Sequence, residues 1–413
     1  MSKLQELINK LCPNGVEFKP LGEVFEMRNG YTPSKNNPDF WEGGTIPWFR
    51  MDDIRENGRI LSDSIQHITP SAIKGKGLFE ANSFILATTA TIGEHALIIA
   101  DSLANQQFTN LKVRKSLSNL LVTKFIYYYM FIVDDFCKRN TNVSGFASVD
   151  MDKLKKMPFP VPPIEVQEEI VRILDSFSDY AAELQAELQA RKQQYEYYRN
   201  LLLTFNPSAY GCGTDDEQKD GVTTWEGHNY KIQWKKLGEI CDNMDKLRKP
   251  VTASTRISGI YPYYGASGVV DYVNNYIFDG SYLLISEDGA NLLARSTPIA
   301  FSIYGKTWVN NHAHVLHFNS DVTRKFVEYF INNLDISKYV SGGAQPKLNQ
   351  KKLNSILIPI PPLELQEKIV AILDRFETLV NDLTNGLPAE IAAVKDQYEY
   401  YRNKLLTFKK LSA

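Results

Sequence analysis

The sequence predicts an α+β fold with internal pseudo-twofold symmetry, in which two α/β units are separated by a pair of long antiparallel coiled-coil helices. Three observations carry this. Gln194-Tyr195-Glu196-Tyr197-Tyr198-Arg199-Asn200 recurs as Gln397-Tyr398-Glu399-Tyr400-Tyr401-Arg402-Asn403. Upstream, Gln167-Glu168-Glu169-Ile170-Val171-Arg172-Ile173-Leu174-Asp175-Ser176-Phe177 pairs with Gln366-Glu367-Lys368-Ile369-Val370-Ala371-Ile372-Leu373-Asp374-Arg375-Phe376. Both copies end in Leu-Leu-Thr-Phe, at 202–205 and 405–408. A repeat offset near 200 in 413 residues marks a duplicated module rather than a solenoid.

The repeated blocks read as helices. Each follows a proline cluster (Pro158, Pro160, Pro162 and Pro163; Pro359, Pro361 and Pro362) that blocks extension backwards and is tolerated in a first helical turn. Beyond it, Ile170, Ile173, Leu174, Phe177, Leu184 and Leu188 recur at 3/4 spacing, continued by Tyr195, Tyr198, Leu202 and Phe205. The second stripe, from Ile369 to Phe408, is interrupted at Asn385-Gly386-Leu387-Pro388, where a break is expected. Helices this long need a partner to bury the stripe, and two equivalent copies can pair.

Between them lie β-rich regions of divergent sequence. Strands are expected at 83–87, 96–100, 282–285 and 314–318. Faint correspondence survives: Leu21-Gly22-Glu23-Val24 with Leu237-Gly238-Glu239-Ile240, Leu78-Phe79-Glu80 with Ile277-Phe278-Asp279, and Asp150, Lys153 and Leu154 with Asn349, Lys352 and Leu353. The polar, Gly-rich stretch 206–229 reads as a linker. The expected divisions are a first domain at 1–160, a central helix at 161–205, a linker and second domain at 206–358, and a C-terminal helix at 359–413.

Composition bounds the function. A hydrophobic fraction of 43% and a charged fraction of 23% are ordinary for a globular protein, and no apolar run is long enough to span a bilayer. Four scattered cysteines without a CxxC pair argue against a disulfide framework or zinc site and fit a cytoplasmic setting. The net charge of −2 resides in the helical segments (−4 at 161–205, −1 at 359–413), while 1–160 and 206–358 sum to +2 and +1. Local patches for nucleic acid are thereby permitted.

No catalytic constellation emerges. Gly305-Lys306-Thr307 ends like a P-loop, but Ala300 stands where its first glycine must turn. Asn206-Pro207-Ser208-Ala209 lacks the following Pro-aromatic of amino-methyltransferases, and Asp215-Asp216-Glu217-Gln218-Lys219 has no flanking strand to fix a metal. His312, His314 and His317 lack a Cys or paired carboxylate nearby in sequence and read as strand histidines rather than metal ligands.

The block from Val166 to Asp175, its counterpart from Leu365, the two Tyr-Glu-Tyr-Tyr-Arg-Asn motifs and Gly386-Leu387-Pro388-Ala389-Glu390-Ile391 resemble specificity subunits of type I restriction–modification systems. The resemblance implies two target recognition domains, each reading half of a bipartite DNA sequence, and helices that act as spacer. It implies docking of two modification (methyltransferase) subunits and association with restriction subunits. It also implies no catalysis and no cofactor in this chain, with S-adenosylmethionine, ATP and Mg on the partners. A protein-binding scaffold with two divergent domains is the alternative. Family motifs lie in the helices, so DNA contacts are chosen from chemistry: cations for phosphates, and Arg, Asn and Gln for base edges. The candidates are Arg28, Tyr31, Lys35, Arg50, Lys74 and Lys76 in the first domain, and Lys246, Arg248, Lys249, Tyr263, Ser267, Asn310 and Asn311 in the second. Tyr197 and Tyr400 fall off the helical stripes and are candidate partner contacts.

Overall fold

A computed structural model describes residues 3–142, 147–205, 221–342 and 345–411. It divides into two compact units, Met1–Leu184 with Ile391–Ala413, and Gln185–Glu390. Six helices of nine or more residues lie among the described residues: α1 (Lys3–Leu11), α2 (Thr123–Arg139), α3 (Ile164–Leu203), α4 (Asp321–Asn333), α5 (Leu363–Asn381) and α6 (Leu387–Leu405). The unit division falls within α3. None is long and apolar enough to cross a membrane.

The proline stops act as expected, since α3 begins directly after Pro163 and α5 directly after Pro362. The break between α5 and α6 has a side-chain cause and a steric one. The Asp382 carboxylate accepts from the Thr384 amide (2.7 Å) and hydroxyl (2.6 Å) and from the Asn385 amide. Those bonds hold its pKa down to about 2. At Gly386 a Cβ would stand 2.4 Å from the Thr378 carbonyl oxygen, so only glycine permits the turn.

In the first unit a five-stranded sheet runs in the order 25–29, 108–113, 83–87, 95–98, 60–61, beside a three-stranded sheet of 67–68, 46–49 and 103–104. All five residues of Ser83–Ala87 are buried because both faces are covered. Phe84 and Leu86 join the core under α2, while Ile85 and Ala87 join the core around Trp48 and Phe49. The helix supplies Phe125, Ile126, Tyr129, Met130, Val133 and Cys137 at 3/4 spacing. The second unit solves the same problem with a six-stranded sheet in the order 242–243, 313–317, 278–286, 300–309, 258–265, 268–273. Leu283 and Ile285 face the core under α4, and Leu284 faces the opposite core with Val315 and Ile303.

Two of the faint sequence correspondences, the Leu-Gly-Glu segments and the residues before each proline cluster, are structural. Strand Glu17–Pro20 pairs antiparallel with Pro158–Val161, and His228–Lys236 pairs likewise with Leu357–Ile360. Each outgoing strand enters a single helical turn, Leu21–Val24 or Leu237–Ile240, whose first amide donates over 2.8 Å to the carbonyl of Met157 or Ile356. Asp150 and Asn349 are N-caps of matching short helices, each accepting from the third residue on, Lys153 and Lys352.

Two elements differ from expectation. The linker ends sooner than 229: Gly221–Trp225 and His228–Lys236 form a hairpin through Glu226 and Gly227, both at positive φ. Trp225, Tyr230 and Trp234 pack on the core, which is why this stretch is folded despite its polar composition. The first unit instead uses α1, unmarked by any repeat: Leu4 is buried, Leu7 and Ile8 pack on the core, and Lys3 pairs with Glu169 at 2.8 Å. Arg172 and then Lys3 pull the Glu169 carboxyl down to about 2. Asn206-Pro207-Ser208-Ala209, Cys212 and the 215–219 charge run lie outside the described residues.

Candidate nucleic-acid interface

Four of the first unit's candidates converge. Arg28, on strand Phe25–Asn29, donates to the Lys76 carbonyl at 2.7 Å and lies over the Phe79 ring at 4.5 Å. The Tyr31 hydroxyl accepts from the Lys74 amide (2.8 Å) and donates to the Ala72 carbonyl (3.0 Å). Together Arg28, Tyr31, Lys74 and Lys76 line a cleft of about 190 Å3. Burial lowers the Arg28 pKa, and a guanidinium so perturbed is still protonated at neutral pH. Lys35 is exposed in the loop before Pro38. Arg50 is half-buried at a helix N-terminus, where its amide donates to Asp53 at 2.6 Å and its guanidinium is 3.8 Å from Asp52. It is partly committed to that turn.

The second unit's candidates do not form one cluster. Lys246, Lys249, Ser267 and Asn311 are exposed. Arg248, Tyr263 and Asn310 depart from expectation because they serve the fold. Arg248 pairs with Glu287 (2.7 Å) and Asp245 (3.4 Å) and donates to the Ala313 carbonyl. Tyr263 is 1% exposed, and its hydroxyl is held by the Val251 amide at 3.0 Å. Asn310 is buried and caps the His312 amide through its side-chain oxygen.

His314 and His317 lie on strand Ala313–His317 and His312 in the turn before it, and the three have separate partners. His312 faces Asp288 at 3.0 Å and His317 stands 3.8 Å from Asp242, while His314 is buried against Asp245 at 2.6 Å. Asp245, Glu287 and His314 bring ligand-type atoms within 4.8 Å of one another. The arrangement does not suit a metal ion. Arg248 already neutralises both carboxylates, and His314 Nε2 donates to the Leu348 carbonyl at 2.7 Å. The network instead ties the 245–248 turn, strand 313–317 and residue 348 together.

The helices carry the clearest internal symmetry. In the first unit Phe177 stacks on Tyr401 (5.5 Å, 24°); in the second its repeat-mate Phe376 stacks on Tyr198 (5.7 Å, 25°). Arg402 lies over Tyr398 at 5.5 Å and Arg199 over Tyr195 at 5.4 Å. A clamp fastens each domain helix to its repeated helix. The Tyr128 hydroxyl donates to Asp175 at 2.6 Å and Lys124 pairs with the same carboxylate at 2.7 Å. The Tyr329 hydroxyl lies 2.6 Å from both Asp374 and Glu377, and Lys325 pairs with Glu377 at 3.5 Å. Burial, then the facing carboxylates, push both phenols above their ordinary range. This clamp was missed from sequence, although Lys124-Phe125-Ile126-Tyr127-Tyr128 and Lys325-Phe326-Val327-Glu328-Tyr329 share a Lys-Phe-aliphatic-x-Tyr signal. Tyr197 and Tyr400, by contrast, are 63% and 59% exposed, each edge-on to the stacked tyrosine that follows it.

A family described as the type I restriction modification DNA specificity domain matches residues 13–191 and 230–393, most of the chain. The chain belongs to that family. It is 41% identical to the Escherichia coli type I restriction enzyme EcoprrI specificity subunit, over 96% of this chain and 94% of that one. It is 29% identical to the EcoR124I/EcoR124II specificity subunit of Escherichia coli, over 99% and 98%. Among solved structures, the fold is similar to a chain described under complex assembly and conformational transition of the type I R-M system (TM-score 0.59, 17% identity, 95% of this chain and 98% of that one). It is also similar to the HsdS subunit from Thermoanaerobacter tengcongensis (TM-score 0.55, 17% identity, 96% and 97%). As a type I specificity protein, the chain has two family segments, and each contains one set of clamp carboxylates, Asp175 in the first and Asp374 with Glu377 in the second.

Proposed function

We propose that the chain reads a bipartite, asymmetric DNA sequence, one half per unit, and so directs both methylation and restriction by a type I complex. The observation that carries this is the contrast within the molecule. Equivalent clamps and aromatic stacks hold the helices of two units whose sheets differ in strand order. A shared scaffold is what two copies of one partner require, and divergent sheets are what two different half-sequences require.

In this reading the chain is not catalytic by itself. Two modification subunits supply S-adenosylmethionine chemistry on adenine, and restriction subunits supply ATP- and Mg-dependent steps. Exposed cations and amides grip and read the duplex: Lys35, Lys74 and Lys76 in the first unit, and Lys246, Lys249, Ser267 and Asn311 in the second. Tyr197 and Tyr400 belong to the modification-subunit surface.

The test is a genome-wide map of methylated adenines in cells carrying this chain with its modification partner. Two short defined blocks separated by an unread gap of fixed length are expected. A single continuous block, or methylation indifferent to loss of this chain, would overturn the proposal.

A further inference from the structure

We propose that the loop Lys74-Gly75-Lys76-Gly77 binds a backbone phosphate of DNA, and that Arg28 and Tyr31 position this loop without themselves touching the duplex. The inference rests on the DNA-reading function above and gives one of its sites a ligand class.

The loop is fixed at both ends by side chains from elsewhere in the fold. At its start the Tyr31 hydroxyl takes the Lys74 N–H and returns its own proton to the Ala72 carbonyl. Near its end Arg28 takes the Lys76 carbonyl while its guanidinium lies over Phe79. Between them the Gly77 N–H donates to the Lys74 carbonyl at 3.3 Å and closes a turn. Gly75 and Gly77 sit at φ +51° and +76°, in the left-handed region, so the turn is encoded by the glycine spacing.

This arrangement engages the carbonyls of both lysines and leaves two successive N–H groups without an acceptor among the described residues. The carbonyls of Lys74 and Lys76 are both engaged. The N–H groups of Gly75 and Lys76 donate to no acceptor among the described residues. Successive free amides in a turn with left-handed residues form a nest suited to an anion. The charges agree. Lys74 and Lys76 are exposed, and neither they nor Arg28 enters an ion pair among the described residues. No carboxylate lines the adjoining cleft, and Glu80, which lies close enough to act on Arg28, is paired with Lys112. Arg248 of the second unit, by contrast, is neutralised by Asp245 and Glu287.

A base edge presents donors and acceptors in a pattern that a reader must complement. Two successive free N–H groups beside two ammonium groups complement a phosphate, which only accepts. The loop therefore holds register and affinity, not sequence.

The experiment uses the chain assembled with its modification partner. Fluorescence anisotropy follows binding to a duplex carrying the mapped sequence and to an unrelated duplex across a salt series. Lys74→Ala with Lys76→Ala is expected to weaken both by a similar factor, roughly tenfold, and to flatten the slope of log affinity against log salt by about one to two. Lys74→Arg with Lys76→Arg is expected to restore the slope. Tyr31→Phe is expected to lose part of it although both lysines remain. A wild-type slope in the double alanine variant overturns the site. Loss confined to the mapped duplex also overturns it, because the lysines would then be reading bases. If the wild-type complex itself fails to prefer the mapped duplex, the DNA-specificity reading falls and this site with it.

Discussion

The two units handle the same scaffold alike and the same type of side chain differently. Each fastens its domain helix by a lysine and a tyrosine to carboxylates of the repeated helix, Asp175 in the first unit and Asp374 with Glu377 in the second, and each stacks a phenylalanine of one repeat on a tyrosine of the other. Beyond the helices and the paired strands, turns and caps beside them, the units differ. The first unit carries five- and three-stranded sheets with unpaired lysines on a glycine loop, and the second a six-stranded sheet with its central arginine sealed by two carboxylates. A duplicated chain under one constraint would have kept both halves alike. Retention at the helices and divergence at the sheets fits two constraints, which the proposed function assigns to a common partner and to separate targets.

The exposed tyrosines give the largest expected effect. Tyr197→Ala with Tyr400→Ala removes two mostly exposed aromatics whose ring–ring contact is the edge of the following tyrosine, so the fold should persist. Aromatic anchors at interfaces are worth about 1–2 kcal/mol or more each. Assembly with the modification subunit should therefore weaken by at least roughly tenfold in titrated gel filtration. Unchanged assembly would move the partner surface elsewhere.

The next prediction concerns α3. It contains a tandem unit, Ala182-Glu183-Leu184-Gln185 and Ala186-Glu187-Leu188-Gln189, in which Leu184 and Leu188 are both buried. A third copy adds about 6 Å of helix and turns the apolar stripe by only about 40°. At about 3.4 Å per base pair, the unread gap should grow by one or two base pairs while both half-sequences stay the same. A methylation map with the original gap would mean that the helix is not the ruler.

The clamps give the smallest effect and the sharpest comparison. Tyr128→Phe removes one charge-assisted hydrogen bond and should cost about 1–2 kcal/mol in the denaturant unfolding of its unit. Tyr329→Phe should cost at least as much, because it leaves both Asp374 and Glu377 without that donor. A cost at Tyr128 clearly exceeding that at Tyr329 would contradict the assigned roles.

The helices and the break before α6 were legible because periodicity, proline and glycine act locally. The strands 83–87 and 282–285 were legible because strands buried on both faces read as continuous apolar runs. The Leu-Gly-Glu turns and the Asp150 and Asn349 caps were legible because the repeat exposed them. The hairpin 221–236 was not, since Trp225, Tyr230 and Trp234 are dilute among polar residues and matter only through the core they meet. Among the site candidates, sequence separated cations from other residues but not free cations from paired ones. Arg248 is sealed by Glu287, 39 positions away, and Tyr263 is buried by the sheet around it. The grouping of Arg28 and Tyr31 with Lys74 and Lys76 spans 48 positions and had no local signal.

The central claim is that the two units read independently. The most direct measurement is an adenine-methylation map of cells in which residues 25–150 have been replaced by the corresponding domain of a relative with a different target. The account predicts that one half of the methylated sequence changes to that of the donor, while the other half and the gap are retained. A change in both halves, or a map identical to that of the unaltered chain, would contradict it.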